Sequence, residues 1–183
     1  LSGEIIQTIG LLNAGNTDWE DICQNQDYIF IGDMGNNAGN RQDLCIYKIL
    51  KSNIPEEGDA WVSTNKIEFS YADQSNFNPP AHGHNFDCEA MVASNDSLYL
   101  FTKNWENEKT KIYRLPVAEG EYELYPVDSF NVNGLICGAS FDEGIHQLVL
   151  CGYQSYTPFI YLVYDFPSHN FFKGNKRRID FPL

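Results

Sequence analysis

The sequence predicts an all-β chain and, within that class, a β-propeller of four-stranded antiparallel blades. Three observations carry this. Periodicity of 3.6 residues is almost absent, short β-rich runs recur between Gly, Asn, Asp, Ser and Pro, and the chain repeats itself.

The repeat is the strongest of the three. "DWEDICQNQDYIFIGD" from Asp18 aligns with "DCEAMVASNDSLYLFTK" from Asp87, one residue being inserted in the turn. A third copy, "ICGASFDEGIHQLVLCGY", places Gly138 opposite Glu20 and Glu89. Each copy continues into a second strand (28–32, 98–102, 147–151) and a third carrying Ile-Tyr or Tyr: "LCIYKIL", "TKIYRLP", "FIYLVYDFP". More polar stretches, "NKIEFSYAD", "YELYPVDSF" and "KRRIDFPL", close the units. The blades are therefore expected at about 16–75, 85–131 and 134–183, with 18–23, 88–93 and 136–141 as innermost strands. The opening "EIIQTIGLL", within 1–12, reads as the outer strand of a blade closed by both ends of the chain. Three blades do not close a ring, since propellers have about four to eight. Further blades, or a second copy giving six in all, are expected to complete it. No composition shift divides residues 1–183, so one domain is expected.

Composition restricts the partners. Apolar residues at 43% and aromatics at 14% support a packed core. A net charge of −13, from 25 acidic and 12 basic residues, argues against nucleic acid and anionic membrane surfaces. No apolar run approaches the roughly 20 residues that span a bilayer as a helix. Five Cys without a CxxC motif do not suggest a disulfide framework; Cys45, Cys137 and Cys151 sit in apolar runs, as buried thiols do.

With these motifs on the page, "NTDWEDI", "DYIFIGDMGNNAGNRQDL", "NFDCEAM" and "VNGLICGASF" resemble an uncharacterised group of exported Bacteroidetes propeller-like proteins. The resemblance covers nearly the whole chain. It implies a propeller, export to the periplasm, cell surface or medium, and no particular reaction.

The acidic pairs are the leading candidate site. Strand alternation puts Asp18 and Glu20 on one face, and Asp87 and Glu89 on the equivalent face of the next blade. One reading is that they converge on the axis and hold Ca²⁺, for which all-oxygen ligands are suited. Paraoxonase- and gluconolactonase-type propellers are similar in grouping acidic and amide ligands around an axial calcium. The other reading is that the carboxylates accept backbone N–H groups and pin blade to blade. "GDMGNNAGNR" (32–41) lacks a phosphate-loop Lys and is expected to form Asx turns, with Arg41 paired to a nearby carboxylate. His82-x-His84 has the spacing of a zinc pair on a strand, but follows Pro79-Pro80 in a loop with no third ligand in view. His146 and His169 stand alone, the "NKRR" run 175–178 is expected to pair with acids, and no hydrolase signature is present. Trp61, Trp105 and the 153–161 loop are candidates for an aromatic rim.

The sequence thus points to an exported binding or scaffold module without a catalytic motif. Its ligand is a small molecule, glycan or protein at a loop face. A calcium-dependent, lactonase- or esterase-like hydrolase with axial carboxylates is the alternative reading, and a structural blade set within a larger protein is a third.

Overall fold

A computed structural model describes residues 3–181. Among them are fifteen strands, two single 3₁₀ turns (51–53 and 171–173) and no α-helix. None of these elements is a helix long and apolar enough to cross a membrane.

The chain lays down three antiparallel sheets in succession. Sheet 1 contains β2 (Trp19–Gln24), β3 (Tyr28–Asp33), β4 (Cys45–Leu50) and β6 (Asn65–Tyr71). Sheet 2 contains β7 (Asp87–Ser94), β8 (Ser97–Lys103), β9 (Thr110–Pro116) and β11 (Pro126–Phe130). Sheet 3 contains β12 (Leu135–Asp142), β13 (Gln147–Gln154), β14 (Thr157–Tyr164) and β15 (Asn175–Asp180). The segments expected as innermost fall on β2, β7 and β12. These lie side by side, β2 against β7 and β7 against β12.

Register explains how the sheets stack. The Ile-Tyr dipeptides sit at one position: Ile31 opposes Tyr47, Leu100 opposes Tyr113, and Leu150 opposes Tyr161. Alternation sends the tyrosine to the face looking back at the preceding sheet and the isoleucine to the face looking forward. Ile46 accordingly packs with sheet 2, in a cluster with Phe30, Met91, Leu98, Leu100 and Tyr113. Ile112 packs with sheet 3, in a cluster with Phe101, Ile136, Leu150, Phe159 and Phe171. Sheet 2 is covered on both faces over its inner strands, and every residue of β8 is buried.

Three details depart from the sequence expectation. "YELYPVDSF" is not one strand. Gly120–Leu124 (β10) crosses back and pairs in parallel with β6, making sheet 1 five-stranded, before β11 returns to sheet 2. The opening segment yields only β1 (Ile9–Leu12), which pairs in parallel with β5 (Ala60–Ser63) in a sheet of its own. Finally, each first strand carries a bulge, at Glu20, Glu89 and Cys137. The third-copy counterpart of the two glutamates is therefore Cys137, not Gly138. A repeat aligned on residue type alone cannot see where the ladder slips by one.

All five cysteines are free; Cys45 and Cys88 are buried, Cys23 and Cys137 half-buried. Cys151 is exposed, contrary to expectation, because it points out of the forward face of sheet 3, which no further described sheet covers.

Candidate functional site

The acidic motif and the loop after β3 fold onto each other. Asp87, fully buried, accepts the backbone N–H of Asn36 (2.7 Å) and the indole N–H of Trp105 (2.9 Å). Asn36 in turn donates through its Nδ2 to the Phe86 carbonyl and accepts the Arg41 N–H on its Oδ1. The "GDMGNN" loop of sheet 1 is thereby bolted to the first strand of sheet 2. Asp21 does the same deeper in, accepting the Met91 N–H at 2.7 Å.

Asp33 accepts N–H groups from Thr17 and Asp18 and pairs with Arg41 at 2.9 Å. Arg41 also pairs with Asp43 and donates to the Gly35 carbonyl, as its isolation in an acidic loop suggested. Glu89 pairs with the nearly buried Lys103 at 2.6 Å. The Lys103 ammonium lies over the rings of Trp105 (4.3 Å) and Tyr153 (5.5 Å).

Asp18 and Glu20 behave differently. Both press their carboxyl oxygens against Gly35, where a Cβ would displace them. The two carboxyls are hydrogen-bonded to each other, and Asp18 also accepts from Asn37 Nδ2. Burial first, and then the charges of Glu89, Asp18 and Asp87, raise the Glu20 pKa to about 8. Glu20 is therefore protonated at neutral pH. Glu20 feels the charges of Asp18, Asp87 and Glu89, but Asp87 and Glu89 already have partners. Calcium takes six to eight oxygens. Among the described residues no group of three or more His, Cys, Asp or Glu is arranged to hold a metal ion.

This has a measurable consequence. A carboxyl whose folded pKa lies above its unfolded value binds more protons folded than unfolded, so stability falls as pH rises between the two values. Glu20→Gln is expected to leave stability unchanged below pH 4.5 and to raise it progressively towards pH 8, read from denaturant melts across that range.

The remaining candidates separate. His84 is buried and structural: its Nε2 bonds the Asn37 carbonyl and its Nδ1 accepts the Phe86 N–H. His82 is exposed and stacks on Trp105 at 4.1 Å. The two imidazoles do not act as a zinc pair. Trp61, on β5, covers Gly10 of β1 and takes no part in the rim, which is formed by Trp105, His82 and Tyr153 around the Glu89–Lys103 pair. Within "NKRR", Arg178 pairs with Asp180 and stacks on Phe159. Burial pushes the Cys137 thiol up to about 12, with Glu89 adding to it, so it is no nucleophile at neutral pH.

A second cluster was missed by sequence reasoning. Ser94, Glu143 and His169 come together from three segments far apart in the chain. No local spacing could have signalled it.

No known protein family, curated protein or solved structure matches this chain.

Proposed function

We propose that the chain is part of an exported β-propeller acting as a binding or scaffold module, with its ligand on the rim formed by Trp105, His82 and Tyr153. What supports this most is the use made of the acid motif. Asp21, Asp33, Asp87 and Glu89 are engaged in ties within and between sheets, leaving the half-buried rings of Trp105 and Tyr153 and the exposed His82 above a largely buried ion pair. Aromatic faces beside a carboxylate and an ammonium suit a glycan, a peptide or a small polar molecule. The rim is tested by titrating soluble oligosaccharides and peptides while following tryptophan fluorescence. The expected result is a saturable change in the wild type that Trp105→Ala abolishes; flat titrations throughout would leave only the scaffold role.

The propeller reading draws support from β1 and β5. In both β1–β5 and β6–β10, the strand just before a sheet's fourth strand runs parallel to an outer strand laid down before that sheet began. On this reading β1 is the outer strand of a preceding blade. Ile22, Ile29 and Ile31 then occupy the positions at which Met91, Leu98 and Leu100 are buried against sheet 1. Ile22 is instead 63% exposed here. Residues 1–183 alone are expected to self-associate through this face, and Ile22→Asp to suppress it, as measured by sedimentation. A compact monomer in the wild type would count against the ring.

A further inference from the structure

At the opposite end of β7 from Asp87, Ser94 Oγ lies 2.7 Å from His169 Nε2 and donates its proton to Glu143 Oε1. Ser94 closes the β7–β8 hairpin, opposite Ser97, and the next residue, Asn95, turns the chain with φ of 51°. The His169 ring is clamped. It stacks on Tyr99 with centroids 5.3 Å apart and meets Phe141 and Phe171 edge-on. Ser94 and Glu143 line a cavity of about 510 Å³, together with Asn25, Asp27 and Asn95. Tight hairpins do not need a serine held by an imidazole from 75 residues away.

We propose that Ser94 is a nucleophile, with His169 as its general base, for transfer of small acyl groups to water in this cavity. As Oγ attacks the carbonyl carbon of an ester, its hydroxyl turns from Glu143 Oε1 to His169 and its proton passes to Nε2. The tetrahedral species collapses, and the leaving alcohol takes the proton from Nε2. Water, giving its proton to the same nitrogen, then attacks the acyl-serine, and Ser94 leaves with that proton, so the sum is ester plus water to acid plus alcohol. Asn95 Nδ2 donates to Oγ at 3.4 Å and on this proposal turns to the oxyanion as Oγ attacks.

The carboxylate differs in place from the usual triad. Glu143 sits on the serine rather than on the far nitrogen of the imidazole, so it assists the imidazolium by its charge and does not set the tautomer. Burial holds His169 below the ordinary imidazole pKa, opposed by Glu143 and reinforced by His146 and Arg114. The ring is therefore a neutral base at pH 7. This site is independent of the rim and of ring closure.

The wild-type protein carries the test. It is treated with a fluorophosphonate probe, and the modified peptide is identified by mass spectrometry. Modification of Ser94 is expected, at a rate that rises with pH to a plateau whose midpoint lies below that of a free imidazole. Hydrolysis of p-nitrophenyl acetate should fall at least about 100-fold in Ser94→Ala and in His169→Gln. Folded wild-type protein left unmodified at Ser94, or His169→Gln labelled at the wild-type rate, would show the cluster to be only a tie between sheets 2 and 3.

Discussion

Asp87→Ala is expected to destabilise the fold by about 3–5 kcal/mol, which for a chain of this size lowers the melting temperature by roughly 10 °C. The side chain is fully buried, and two donors converge on it, the Asn36 N–H and the Trp105 indole. Alanine strands both, each costing about 1–3 kcal/mol. It also loosens the loop through which sheet 1 meets sheet 2, and with it the stack of Trp105 on His82. Asp87→Asn keeps one acceptor and turns an N–H towards the other donor, so about half the loss is expected. Urea denaturation of the two variants beside the wild type checks the ordering. If Asp87→Ala melted with the wild type, the carboxylate would not be the tie described here.

Phe101→Ala is expected to cost about 3–5 kcal/mol by a different route. Phe101 is inaccessible and packs among Ile112, Ile136, Leu150 and the Phe171–Phe172 turn, between sheets 2 and 3. Its removal leaves a cavity whose walls belong to two sheets held by their own ladders, so little collapse can refill it. The loss should appear as faster unfolding together with a lower midpoint in denaturant. A loss under about 1 kcal/mol would mean that the sheets slide together freely, contrary to the packing seen here.

The strands were legible because their signal is local. "DYIFIGD" and "SLYLFTK" carry β-formers bounded by turn residues, and the Ile-Tyr dipeptides recur at one register position, which fixed both the strand and its two faces. What was not legible depended on pairing between distant segments. The bulges that make Cys137 the counterpart of Glu20 and Glu89 lie in the ladder, not in the residue order. β10 has the composition of any edge strand, and only its parallel pairing with β6 assigns it to sheet 1. The acidic repeat marked four carboxylates as belonging to equivalent strands. It could not show that Lys103, Asn36 and Trp105 would answer two of them and leave Glu20 protonated beside Asp18.

The excursion of β10 has a kinetic meaning. Because the chain leaves sheet 2 after β9, adds an edge to sheet 1, and only then returns as β11, neither sheet can be completed before the other has begun. During synthesis, sheet 1 would leave the ribosome with a bare β6 edge and stay capable of wrong pairings until residue 124 had emerged. Tension applied to the C-terminal end would likewise peel β15 away alone, and once β11 was freed the load would pass directly to the seam between β10 and β6. Sheets 1 and 2 should thus open as a single cooperative block in hydrogen exchange, while sheet 3 exchanges ahead of them.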